Sequence, residues 1–282
     1  MHRIRKVVRE LLPKRETPIV APDAPVSEVI ATMRARNVSG VLVSEGGKNV
    51  FASAVGIVTD RDIAFRVAGE LVPMSTPATQ VMSTPVRRMN ADETLVEAIS
   101  AMAAHGLSNI PVVNADGIVE GVLCSRDVLD HLSEVFDAFE AAADETNPQR
   151  ILATTPVSEL SRQAPVRVKM RAPLLGVVQA MRENGRSSVL VEGKDGRLLG
   201  VFTQNDLVRR VDLSELSWRN QSVSDSMTAA PISVQQSTSL GEACRRMAHG
   251  GFRRLPVVDG AGHSVGIVSI RDIIRHLSTR VS

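Results

Sequence analysis

The chain has 282 residues, room for two ordinary domains, and its 43% hydrophobic and 23% charged residues are the balance of a soluble globular protein. A net charge of +2, with six Phe, one Trp and no Tyr, argues against a nucleic-acid binder, which needs a basic face or aromatic platforms for the bases. No apolar run approaches the ~18 residues of a membrane helix, the start at Met1-His2-Arg3-Ile4 lacks the apolar core of a signal peptide, and Cys124 and Cys244 in apolar runs suit buried free thiols in a reducing, cytoplasmic setting.

Residues 1–15 are basic, with Ile4, Val7, Val8, Leu11 and Leu12 at helix-like spacing. They form either a partner or membrane-surface helix or a lead-in segment packed on the first domain, and their shortness favours the second. Thr17-Pro18-Ile19-Val20 predicts a strand and Pro22-Asp23 a turn, after which Ser27 is expected to cap a helix. The inward face of that helix is Val26, Val29, Ile30 and Met33, and the same face returns three times. Its copies are Leu95, Ala98, Ile99 and Met102, then Leu174, Val177, Val178 and Met181, then Leu240, Ala243, Cys244 and Met247. Each falls at i, i+3, i+4 and i+7, one buried helical face.

A polar break and a second strand follow every helix, at 39–43, 108–113, 187–191 and 253–258. Hairpin turns at Gly46-Gly47, Asp116-Gly117, Asp195-Gly196 and Gly260-Ala261-Gly262 then lead into a third strand. That strand carries one motif in four versions: Gly56-Ile57-Val58-Thr59-Asp60-Arg61-Asp62-Ile63, Gly121-Val122-Leu123-Cys124-Ser125-Arg126-Asp127-Val128, Gly200-Val201-Phe202-Thr203-Gln204-Asn205-Asp206-Leu207 and Gly266-Ile267-Val268-Ser269-Ile270-Arg271-Asp272-Ile273. Each reads as a buried strand turning into a last helix with its own apolar face, Ile273, Ile274 and Leu277 in the final copy. The free N–H groups and positive dipole end at such a turn suit a phosphate or ribose hydroxyls.

The interval from Met102 to Asp127 recurs from Met181 to Asp206 and from Met247 to Asp272, and is slightly longer from Met33 to Asp62. The step from Asp127 to Asp206 is the longest between motif aspartates, so the repeats come in two pairs. The expected organisation is a basic segment at 1–15, repeats at 16–75 and 78–133, an acidic, helix-prone linker at 134–150 ending at Asn147-Pro148, and repeats at 151–213 and 221–282. The fold class is α+β, four β-α-β-β-α repeats in two pseudo-twofold modules.

These motifs, with Ile110-Pro111-Val112-Val113 and Leu255-Pro256-Val257-Val258 on the second strands, resemble the cystathionine β-synthase (CBS) domain along the whole chain. In that family two repeats form a Bateman module, so the chain resembles two modules in tandem. The resemblance implies an adenosine-containing ligand in the clefts between paired repeats: AMP, ADP, ATP or a related adenosyl compound, with no cofactor required. Carried over by position, Asp62, Asp127, Asp206 and Asp272 take ribose, and Thr59, Thr203 and Ser269 are their hydroxyl partners. In the second repeat Cys124 stands where the hydroxyl belongs. Arg253 and Arg254 are the basic pair for phosphate, which ranks the second module first.

Each motif also reads as a capping box that needs no ligand, and the two arginines also read as surface or ion-paired residues. No HExxH, GxSxG, Walker or GxGxxG pattern sits at a strand-to-helix junction, and the repeats use the whole chain, so no catalytic or metal residue is expected. The expected function is a stand-alone, non-enzymatic regulator that binds an adenine nucleotide and signals to an effector protein, without nucleic acid or membrane insertion. The alternative is a ligand-free scaffold for oligomerisation or docking. Either a homodimer or a four-repeat assembly within one chain satisfies the pattern.

Overall fold

The computed structural model describes residues 6–14, 16–45, 53–68, 72–137, 147–160 and 164–280. Helix α1 (Val8–Leu11) precedes the first unit: β1 (Ile19–Val20), α2 (Val26–Ala35), β2 (Gly40–Ser44), β3 (Ala54–Thr59) and α3 (Asp60–Asp62), which widens into a π-helical stretch at Ile63–Val67. The second unit is β4 (Met89–Asn90), α4 (Leu95–His105), β5 (Asn109–Val113), β6 (Val119–Cys124) and α5 (Ser125–Asp137). Helix α6 (Pro148–Thr154) leads into β7 (Val166–Lys169), α7 (Leu174–Glu183), β8 (Ser188–Glu192), β9 (Leu198–Thr203) and α8 (Gln204–Arg210). The last unit has a lead-in strand β10 (Thr228–Ala229), then β11 (Val234–Gln235), α9 (Leu240–Gly250), β12 (Arg254–Val258), β13 (Ser264–Ser269) and α10 (Ile270–Ser278).

In every unit the first strand pairs parallel with the second, and the second antiparallel with the third. The parallel pair is possible because a helix crosses over between its strands. All positions of the four expected helix faces are buried, Met33, Met102, Met181 and Met247 among them. Two local expectations are corrected. Ser27 lies inside α2, whose N-cap is Pro25 at φ −66°, with no side-chain cap bond; the ring presets the backbone that a polar cap would otherwise hold. Asn147 does not merely end a helix: its Oδ1 accepts from Gln149 N–H at 2.9 Å and starts α6. The Gly46-Gly47 hairpin and most of the acidic linker lie outside the described residues.

Lead-in segments are exchanged within each pair of units. Val8 and Leu11 of α1 bury in the core of the second unit, and Ile151 and Leu152 of α6 in that of the fourth. The glycine that opens the motif makes room for this exchange. A Cβ on Gly56 would overlap Met82, one on Gly200 would overlap Met227, and one on Gly121 would press on Leu12 at 3.3 Å. Gly200→Ala is therefore expected to displace Met227 and cost about 1–3 kcal/mol in denaturant unfolding; an unchanged midpoint would show that Met227 is not held there.

The modules join through helices. One core combines the second and fourth units, and another combines the first and third. Helix α5 lies on α9 and α4 on α10, while Arg34 of α2 donates to Val208 and Val211 carbonyls of the third unit at 2.7 and 2.8 Å. The four-repeat assembly is thus formed within one chain. Among the described residues no helix is long and apolar enough to cross a membrane.

Candidate functional site

In three units the motif closes a capping box. Thr59 donates to Asp62 Oδ2 from N–H at 2.8 Å and from its hydroxyl at 2.6 Å, and Asp62 N–H donates back to Thr59 Oγ1. Thr203 and Asp206 repeat this at 2.9 and 2.7 Å, Ser269 and Asp272 at 2.9 and 2.6 Å. In the second unit Cys124 N–H donates to Asp127 Oδ2 at 2.7 Å, and a thiol stands where the other units have a hydroxyl. Burial, and then the Asp127 charge, push the Cys124 thiol up to about 12, so it stays a neutral, weak donor.

Capping engages Oδ2 and leaves Oδ1 to other partners. Asp62 Oδ1 accepts from Ser83 Oγ at 2.9 Å and lies 3.6 Å from Arg66. Asp206 Oδ1 is 3.3 Å from Arg210, and burial raises this carboxyl above its ordinary value. Asp272 Oδ1 has Arg275 at 3.6 Å, an arginine whose side chain is largely exposed. A carboxylate can therefore hold the helix start and still accept from a diol.

The start of each second strand is tied to the residue after the motif hydroxyl position. Ser39, Ser108, Ser187 and Arg253 accept through their carbonyls from the N–H groups of Asp60, Ser125, Gln204 and Ile270 at 2.8–3.1 Å. This brings together, in every unit, the two places that sequence alone marked separately.

Two cavities open at these turns. The first, about 290 Å³, is walled by Ser269, Asp272 and Arg254 of the fourth unit and by Ser187 and Ser188 of the third. Gly106 and Leu107 of the second unit and Arg61 of the first complete it from the other module. The second, about 500 Å³, is walled by Thr59, Asp60 and Asp62, by Ser108 and Asn109, and by Arg271 from the opposite module. These volumes match the ~300–1,000 Å³ of small-molecule sites. At Cys124 the space is only about 10 Å³, room for one water.

Of the sequence candidates, Ser269, Asp272 and Arg254 share the first cavity, and Thr59 and Asp62 share the second. Thr203, Asp206 and Asp127 are on the wall of neither. Arg253 and Arg254 diverge as neighbours on a strand do. Arg254 reaches the cavity and donates to Ser187 Oγ, whereas Arg253 pairs with Asp60 of the first module at 2.7 Å, both side chains 12% exposed. Burial works against the Arg253 charge, but Asp60 outweighs it and the pKa rises. For Arg254, burial and the neighbouring Arg253 and Arg271 push the guanidinium down to about 10.

The sequence reading passed over the arginines at the motif's second variable place: Arg61, Arg126 and Arg271, with Asn205 in the third copy. Arg271 Nε donates to Ser108 Oγ across the modules at 2.6 Å, and Arg126 donates to the Gly251 carbonyl. Their recurrence in three of four copies was the available signal.

Four phased units, paired into two modules that meet at polar, arginine-lined clefts, define a tandem-module repeat protein. The chain belongs to the CBS-domain family: the CBS domain model matches residues 8–69, 78–134, 157–213 and 223–279. An Arabidopsis thaliana CBS domain-containing protein, CBSCBSPB5, is 27% identical over 279 residues, covering 89% of this chain and 50% of the relative. The meiotically up-regulated gene 70 protein of Schizosaccharomyces pombe is 26% identical, covering 91% of this chain and 41% of its own length. The chain thus spans about half the length, or less, of these curated relatives. A crystal structure from Methanocaldococcus jannaschii, put forward as an archaeal homolog of g-AMPK, superposes at a TM-score of 0.78 with 19% identity, covering 96% of this chain and 99% of that one. It confirms the fold of two tandem Bateman modules.

Proposed function

We propose that the protein is a non-catalytic regulator that binds an adenosine-containing nucleotide in the Asp272 cleft, with the Asp62 cleft as a second site. Occupancy is read by an effector as a change in how the two modules, divided within 134–150, sit together. The observation that carries this is the Asp272 cavity itself. A carboxylate with Oδ1 available for a diol stands beside Arg254 and Arg271, which have no carboxylate within ion-pair distance among the described residues. Charged donors that meet only neutral acceptors favour an anionic ligand. Membership of the CBS family supports adenosine as the body of that ligand.

Binding shifts the module arrangement only as far as the ligand's affinity differs between arrangements. Calorimetric titration with ATP, ADP and AMP tests the reading. Asp272→Ala is expected to weaken the tightest binding at least about tenfold, the loss of charge-assisted hydrogen bonds to ribose. No heat for either would favour the ligand-free scaffold, and equal heats for wild type and variant would place the nucleotide away from Asp272.

A further inference from the structure

The two clefts share the guanidinium groups of Arg61 and Arg271, yet they differ in charge. Among the described residues on the wall of the Asp272 cleft a single carboxylate, Asp272, faces Arg61, Arg186, Arg254, Arg271 and Arg275. The Asp62 cleft sets two carboxylates, Asp60 and Asp62, against Arg61, Arg66 and Arg271. Arg66 is further engaged, since it donates to the Val81 and Met82 carbonyls and lies 3.6 Å from Asp62.

Asp60 is fixed in place. Its Oδ2 accepts from Arg253 of the opposite module at 2.7 Å, and its N–H donates to the Ser39 carbonyl at 3.0 Å. It cannot leave the cleft wall without breaking the ion pair that joins the modules. The matching positions of the other units hold Ser125, Gln204 and Ile270, so this carboxylate belongs to the first unit alone.

We propose that the two clefts sort nucleotides by charge, with Asp60 as the specificity-determining residue: the Asp272 cleft takes a nucleoside di- or triphosphate, and the Asp62 cleft an adenosine ligand with one phosphate or none. This rests on the reading of both clefts as adenosine sites. Each further phosphate in the Asp62 cleft brings negative charge towards a fixed carboxylate. Arg253 offsets part of that charge but is not on the cleft wall, so the nearer Asp60 sets the sign. In a partly desolvated site the repulsion is screened less than in water. In the Asp272 cleft the same phosphate meets Arg254, whose charge is crowded by Arg253 and Arg271 and gains from any anion. A triphosphate there also draws on the shared Arg61 and Arg271, which leaves the Asp62 cleft less cationic still.

Asp62→Ala and Asp272→Ala proteins carrying all 282 residues, titrated with AMP and ATP without divalent cation, separate the clefts. The Asp62→Ala protein is expected to bind ATP about tenfold or more tighter than AMP, and the Asp272→Ala protein to bind AMP at least as tightly as ATP. Adding Asp60→Asn to the latter removes the charge and keeps an oxygen for Arg253. It is expected to raise ATP affinity about tenfold while AMP affinity changes less than about threefold. The same ATP-to-AMP ratio in both single-cleft proteins overturns the sorting, whether or not the Asp60→Asn protein folds. An unchanged ratio after Asp60→Asn overturns the role of Asp60. A wild type that binds neither nucleotide overturns the adenosine reading, and the sorting with it.

Discussion

Replacing Asp60 by alanine is expected to lower the unfolding free energy by about 3–5 kcal/mol, the cost of stranding a buried charge. Arg253 is 12% exposed and has Asp60 as its carboxylate partner at 2.7 Å. Without Asp60 it would be left among Arg209, Arg254 and Arg271, whose pKa values already register its charge. The pair also links the first unit to the fourth, so its loss loosens the contact between modules rather than one unit's core. Asp60→Ala/Arg253→Met should recover most of the loss, because the pair as a whole contributes far less than either half costs when left alone. Denaturant unfolding of the two variants checks this. A deficit under about 1 kcal/mol for Asp60→Ala would mean that water already satisfies Arg253.

Arg254 is expected to behave in the opposite way. Its guanidinium, pushed down to about 10 by burial and by Arg253 and Arg271, binds its proton less firmly in the folded chain than in the unfolded one. Stability from a depressed base is present above its unfolded pKa and lost as pH falls through the folded value, here about 10. At neutral pH the charge is therefore a burden on the empty fold. Arg254→Met should melt at the same temperature as wild type or higher, and this advantage should persist up to pH about 10 and narrow only as pH rises above it. Its nucleotide affinity should fall at least about tenfold with the loss of a charge-assisted bond to phosphate. Thermal melts with and without ATP read both effects at once. A destabilised variant with its ligand shift intact would contradict the assignment.

The opposed responses explain how much the sequence could disclose. Helix faces such as Leu174, Val177, Val178 and Met181 were legible because burial imposes a period of 3.6 on adjacent turns. The four-repeat order was legible because Gly-x-x-hydroxyl-x-x-Asp must both release a strand and cap a helix, so its spacing varies little. Which units pack on one another was not legible. The contact of α5 with α9 joins residues more than a hundred positions apart, and no local period reports it. Asp60 and Arg253 were hidden for the same reason. Asp60 looked like a variable residue inside a motif and Arg253 like half of a phosphate-binding pair, and only the meeting of the modules makes them partners. The distinction between Arg253 and Arg254 was half-legible: strand alternation sends them to opposite faces, but not which one meets the cleft.

The central claim is that the Asp272 cleft holds an adenosine nucleotide by its ribose. A crystal structure of the chain grown with ATP tests it most directly. The account predicts density in that cleft, with the ribose hydroxyls on Asp272 Oδ1 and the phosphates against Arg254 and Arg271. An empty cleft at saturating ATP, or a nucleotide bound away from Asp272, would contradict it.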